Sequence, residues 1–142
     1  MTYFRAIDPF PLEAGDYNKL HEFYERLAEG RLVTTKCSAC GHIAWPPRGF
    51  CGECVSDRFE WAELPEEGTI HAFTVQDTGL PPGFEGPRVF AIVKLAGLRV
   101  FTILVDCDPA RVKIGDRVRL KPLRVTDDPR GNQRWLPAFT SL

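Results

Sequence analysis

Cys37-Ser38-Ala39-Cys40-Gly41 and Cys51-Gly52-Glu53-Cys54 are the two short stretches on which the fold turns. Two residues between paired cysteines let one turn aim both sulfurs at a single point. The ten residues between the pairs, 41–50, give the chain room to return and close a tetrahedron. Gly41 and Gly52 are expected to supply the backbone freedom of the two turns. Zinc accepts four thiolates tetrahedrally at about 2.3 Å, which leaves no position for water, so the site reads as structural. A rubredoxin-type iron site and a pair of redox disulfides are the other readings of this spacing. His42 adjoins the first pair but is redundant as a ligand once four cysteines are present.

The rest of the composition frames this site. The chain has 142 residues, 44% of them apolar, which is enough for one ordinary domain or a small one leaning on a second. Met1 to Phe10 hold Arg5 and Asp8 and no apolar run of signal-peptide length. No stretch reaches the roughly 18 apolar residues of a membrane span, so a soluble cytoplasmic protein is expected. Four of the five cysteines fall within eighteen residues, which suits a metal better than a secreted disulfide framework. Cys107, just past the apolar run Val100 to Val105, reads as a half-buried free thiol rather than a nucleophile. Net charge is −1, divided as −4 over residues 1–66 (7 Lys/Arg, 11 Asp/Glu) and +3 over 67–142 (11 and 8). That falls short of the basic face of a tight nucleic-acid binder, yet would serve a phosphate-bearing small ligand.

Outward from the cysteines, three segments emerge. Residues 1–30 form an arm and a helix. Two prolines in Asp8-Pro9-Phe10-Pro11 make the arm irregular, and Leu20, Phe23, Tyr24 and Leu27 recur at helical spacing between Asp16 and Glu29, where Gly30 stops the helix. Residues 31–63 form a zinc ribbon, in which Arg31 to Lys36 lead into the first pair and Phe59 to Trp61 leave the second. Leu64-Pro65-Glu66-Glu67-Gly68 marks a boundary, and residues 64–142 follow as a five-stranded barrel. Its strands are read at Thr69 to Gln76, Val89 to Leu95, Leu98 to Val105, Arg117 to Val125 and Gln133 to Phe139. Turns are expected at Ala96-Gly97 and at Lys113 to Asp116. The fold class is therefore mostly β: an N-terminal helix, a rubredoxin-like zinc ribbon and a C-terminal OB-fold barrel.

Candidates for further chemistry are few. His71, between Ile70 and Ala72, reads as an edge or surface histidine, His21 lies on the helix, and no nucleophile, phosphate-loop or metalloprotease motif is present. Two segments read as recognition elements: Trp45-Pro46-Pro47-Arg48, and the loop Leu80 to Pro87, which is expected to display Phe84 at its tip. If functional, Arg48 would pair with phosphate and the aromatics would stack on an adenine or on a partner's side chains. Phe73, Phe90 and Phe101 sit in apolar runs and are expected in the core.

Cys40-Gly41, Pro46-Pro47-Arg48 and the second cysteine pair, with a helix before them and a barrel opening near Glu67-Gly68-Thr69-Ile70, resemble a known family over about residues 16–125. Its members are domain-of-unknown-function proteins that join a rubredoxin-like zinc ribbon to an OB-fold and associate with acyl-CoA enzymes. The resemblance implies a small non-catalytic subunit of a thiolase-like enzyme, with structural Zn2+ on the four cysteines and a barrel that helps shape a CoA channel. Relatives accompany acyl-CoA hydratases or aldolases. No catalytic residue carries over, because the nucleophile belongs to the partner. The turn Asp127 to Gly131 and the strand after it depart from the family pattern. The rival reading is an OB-fold that binds single-stranded nucleic acid.

Overall fold

A computed structural model describes residues 15, 18–80 and 84–142 of the chain; the proline arm and the Pro-Pro-Gly centre of the 80–87 loop lie outside them. Helix α1 spans His21–Ala28 and buries Phe23 and Leu27, the apolar stripe read from the sequence. It ends in a Schellman turn. Gly30 takes a φ of +81°, its N–H donates to the Leu27 carbonyl, and the Arg31 N–H reaches back to Arg26. Asp16 and Tyr17, where the sequence starts the helix, lie outside the described residues.

Strands β1 (Val33–Cys37) and β2 (Phe59–Glu63) pair antiparallel, with Cys37 opposite Phe59, and form the stem of the ribbon. Leu32 and Val33 are fully buried, in one apolar cluster with Phe23 and Leu27 of α1 and with Ile70, Val93, Leu95 and Phe139 beyond the boundary segment. Helix, ribbon stem and barrel thus share a core.

The barrel is built from β3 (Glu67–Gln76), β4 (Arg88–Leu95), β5 (Leu98–Leu104), β6 (Arg117–Leu120) and β9 (Ala138–Ser141). They close in the order β3-β4-β5-β9-β6, with β5 and β9 parallel and the other pairs antiparallel. This is the five-stranded Greek-key closure of an OB-fold. The β4–β5 hairpin turns at Ala96 (φ +45°) and Gly97 (φ +82°), a type I′ geometry matched to strand twist. Gly68 sits where β3 meets both β4 and β6; a Cβ there would lie 2.4 Å from the Lys94 carbonyl oxygen, so only glycine permits the approach.

Two strands read as continuous are each divided by a proline. Arg117 to Val125 breaks at Pro122 into β6 and β7 (Leu123–Val125), and Gln133 to Phe139 breaks at Pro137 into β8 (Arg134–Leu136) and β9. A proline lacks the N–H that a ladder requires, so the chain can change sheets there. β7 and β8 form a separate hairpin that packs against α1, and the barrel's fifth strand is β9 alone. No helix of the described residues is long and apolar enough to cross a membrane.

Candidate metal centre and the face beside it

The four sulfurs of Cys37, Cys40, Cys51 and Cys54 all lie within 4.8 Å of one another. Contacts run across the pairs, Cys37 Sγ to Cys54 Sγ at 3.5 Å and Cys40 Sγ to Cys51 Sγ at 3.6 Å. A tetrahedron with metal–sulfur bonds of about 2.3 Å has edges of about 3.8 Å, so these sulfurs stand close to a four-thiolate shell. Two redox disulfides would instead close each Cys-x-x-Cys on itself.

The two knuckles repeat one backbone pattern. Gly41 N–H donates to the Cys37 carbonyl and Val55 N–H to that of Cys51; the N–H of Cys37 donates to His42, and that of Cys51 to Ser56. Each knuckle ends in a left-handed residue, Gly41 at φ +78° and Val55 at φ +65°. The freedom expected of Gly52 is therefore required one turn later, at Val55. His42 is exposed and lies outside the sulfur group.

Backbone donors favour thiolates here. The Cys40 N–H, against the desolvation that burial brings, lowers the Cys37 thiol to about 6, and the Cys54 and Glu53 N–H groups lower that of Cys51. Cys40 goes the other way, to about 12: the His42 N–H favours its thiolate, but the neighbouring Cys51 sulfur, with the local loss of water around the clustered sulfurs, outweighs it. Four adjacent thiolates repel, and a divalent cation is what lets all four ionise.

The inter-knuckle residues divide between two places. Trp45, Pro46 and Pro47 wall an apolar groove of about 530 Å³ with Phe23 and Tyr24 of α1, Arg99 and Phe101 of β5, and Leu136 and Pro137. Trp45 meets Phe23 edge-on with ring centroids 6.0 Å apart. Arg48 lies apart from that groove, its N–H bound to Thr35 Oγ1 at 2.9 Å and its exposed side chain lining a crevice with Arg58 and Phe50. Phe84 is not displayed. It is half-buried against Ile103, Val105 and Ala138, with the Arg88 guanidinium 5.8 Å from its ring centre.

Phe101 overturns its assignment to the core: it is 67% exposed and stacks on Phe90, centroids 6.0 Å apart and planes within 1°. The signal was present in the period of β5, since Arg99 and Phe101 must share the outer face that a charged residue requires. Phe73 does pack against the core. His71 is half-buried, and desolvation first, then Arg99 and Lys94, lowers its pKa. Burial likewise raises the half-buried Cys107, with Asp106 and Asp108 adding to the shift.

Residues 25–60 match the family model described as the ChsH2 rubredoxin-like zinc ribbon domain, and residues 61–121 match that of the ChsH2 C-terminal OB-fold domain. A DUF35 domain-containing scaffold protein of Methanothermobacter thermautotrophicus is 35% identical over 100 residues, spanning 68% of this chain and 75% of the relative. The benzoylsuccinyl-CoA thiolase subunit BbsA of Thauera aromatica is 28% identical over 114 residues, 78% of each chain. Among solved structures, the Ltp2-ChsH2(DUF35) aldolase is similar with a TM-score of 0.70 and 32% identity, over 85% of this chain and 92% of that one. A DUF35 protein of unknown function from Sulfolobus solfataricus shares the fold, with a TM-score of 0.57 at 19% identity, over 92% and 93% of the two chains. The chain belongs to the DUF35 family, whose ChsH2-type members join a rubredoxin-like zinc ribbon to a C-terminal OB-fold.

Proposed function

We propose that this chain is a non-catalytic, cytoplasmic accessory subunit of a thiolase-type enzyme that cleaves carbon–carbon bonds of acyl-CoA. In this reading Cys37, Cys40, Cys51 and Cys54 hold one structural zinc. The barrel docks on the catalytic subunit and helps frame its CoA site. The observation that carries the thiolase type is the likeness to the thiolase subunit BbsA through both modules, over 78% of each chain. The metal geometry supports the non-catalytic half, because zinc held by four thiolates is coordinatively closed. Trp45, Pro46, Pro47, Arg48 and Phe84 are the residues assigned to CoA or partner contacts. Arg48 is the candidate for phosphate, exposed and without an ion pair among the described residues.

The test is co-purification with a thiolase-type subunit from the source organism, followed by assay of the chain alone and of the complex. Turnover is expected from the complex only, with one zinc per chain by elemental analysis and, for Arg48→Ala, a raised apparent KM for acyl-CoA at unchanged zinc content. CoA release by the isolated chain, or iron as the native metal, would overturn the corresponding part. A second reading, an accessory subunit of an acyl-CoA aldolase or hydratase, is favoured by the structural likeness to the Ltp2-ChsH2 aldolase. Co-purification of an aldolase or hydratase subunit would decide for it.

A further inference from the structure

The β4–β5 hairpin presents to the outside a stripe that changes character along its length. Strand pairing sets Ile92 opposite Phe101 and Lys94 opposite Arg99, while Phe90 stacks on Phe101. The aromatic part of the stripe opens sideways into the groove walled by Trp45, Pro46, Pro47 and Leu136. The other end is cationic, with Lys94 opposite Arg99, and His71, half-buried on the neighbouring β3, lies close enough for both to disfavour its charged form.

Like charges directly opposite each other in a sheet destabilise it, so a fold that keeps such a pair ordinarily neutralises it. Other arginines of this barrel have partners. Arg117 and Arg119 both bind Glu67, at 2.7 and 2.6 Å, and Arg88 lies over the Phe84 ring. Lys94, Arg99 and His71 make no ion pair among the described residues. An exposed stacked phenylalanine continuous with an apolar groove is likewise surface that a solitary soluble domain covers or avoids.

We propose that this face seats a segment of the catalytic subunit in which apolar or aromatic side chains, filling the groove and covering Phe101, are followed by carboxylates that meet Lys94, Arg99 and His71. The inference rests on the accessory-subunit reading and specifies where, and by what chemistry, the partner is held. Single-stranded nucleic acid fits less well. It needs cations along the whole track to follow its phosphates, whereas Lys94 and Arg99 stand together at one end of the stripe, Arg88 at the other end is held over the Phe84 ring, and beside Arg99 the groove is lined mainly by aromatic, proline and leucine side chains. A second copy of the chain packed by the same face would bring the same Lys94 and Arg99, with no carboxylate among the described residues of this face paired to them.

The experiment places the photo-crosslinker p-benzoylphenylalanine at position 101 of the full chain, expressed in the organism that encodes it, and sequences the linked peptide. The expected product is a peptide of the co-purifying acyl-CoA enzyme subunit with apolar side chains next to Asp or Glu. Lys94→Glu with Arg99→Glu should weaken that complex about tenfold or more, and reversing the partner's acidic residues to lysine should restore it. If the acyl-CoA enzyme co-purifies but position 101 links nothing on it, this face is wrong and the functional reading stands. If no such enzyme co-purifies, the functional reading itself fails. Crosslinks to oligonucleotide, to a second copy or to residues 1–14 of the same chain would each overturn the proposal.

Discussion

The ribbon knuckles and the barrel reach order by different means. Around the cysteines there is little to bury: Cys37 and Cys51 are enclosed, but Cys40, Cys54 and Val55 are exposed, and turn hydrogen bonds with four sulfurs make up the organisation. The barrel closes on Ile70, Val89, Val93, Val100, Leu104, Val118 and Phe139, all almost fully buried. The stem strand β1 belongs to both, because Leu32 and Val33 sit in the barrel's cluster while Cys37 ends the strand. A knuckle of this kind has its folding energy in the metal, whereas a barrel has it in apolar area removed from water.

Removing one sulfur should separate the two regions most severely. Cys51→Ser, or chelation of the native protein, is expected to release the metal and unfold residues 37–58 while the barrel and the buried part of β1 remain. Elemental analysis together with residue-resolved hydrogen exchange measures both at once. Knuckles that stay protected without metal, or a barrel that melts with them, would show the difference drawn here to be false.

Next in size is Gly68→Ala, which acts on the barrel side. Its Cβ would meet the Lys94 carbonyl oxygen at 2.4 Å and Val93 Cγ1 at 2.7 Å, and the first of these is backbone and cannot turn aside. Separating β3 from β4 at the seam where β6 also joins is expected to lower stability by about 3 kcal/mol in denaturant titrations, with metal content unchanged. Loss of the metal in this variant would mean that the two halves are coupled more tightly than their shared core implies.

What the sequence made legible follows the same division. The cysteine spacing, the helix stripe and Gly30 are local signals, and each is found where it was read. The barrel strands are recognisable as apolar runs, but Pro122 and Pro137 divide two of them, since a missing N–H forbids a continuous ladder. The face carrying Phe101 was obscured for a different reason. An apolar run such as Leu98 to Val105 reads as core unless Arg99 is used to assign its outward side. That His71 comes near Lys94 and Arg99 follows from the register of the β3–β4–β5 meander and from the bulge between Ile70 and Ala72, which no pattern within one strand reports.

Acid separates the regions in a third way. Burial alone would raise the Asp128 carboxyl, but hydrogen bonds from the Asn132 backbone and side chain and from the Arg130 N–H, helped by buried Arg134, hold it below the usual carboxylate range. A carboxyl with a depressed folded pKa stabilises above its unfolded value of about 4, and that contribution disappears as pH falls through the folded value. Thiolates of a metal site protonate and release their ion at higher pH than this. Acid titration followed by hydrogen exchange should therefore lose the knuckles first and the β7–β8 hairpin second. Asp128→Ala should speed exchange in the hairpin about tenfold at neutral pH and remove the second step, leaving the first in place.

The smallest effect expected is also the one that tests the likeness between the two knuckles most directly. Gly41 and Val55 occupy equivalent positions, each donating its N–H to the first cysteine of its pair and each in the left-handed region. Glycine adopts that conformation without penalty, whereas a β-branched side chain crowds the following carbonyl, at about 1–2 kcal/mol for an L-residue. Val55 is 76% exposed, so its side chain has little burial to offset the strain. Val55→Gly is therefore expected to stabilise the metal-bound protein by about 1 kcal/mol, part of the relief being cancelled by the greater entropy of glycine in the unfolded chain. Gly41→Val is expected to destabilise it by a similar amount, and both changes should vanish in the metal-free protein, where the knuckles are already open. A Val55→Gly protein less stable than the parent in denaturant titrations with metal bound would mean that the freedom glycine adds to the unfolded chain exceeds the strain relieved, and Val55→Asn, which tolerates the left-handed region while keeping a side chain, would then be expected to be the more stable variant.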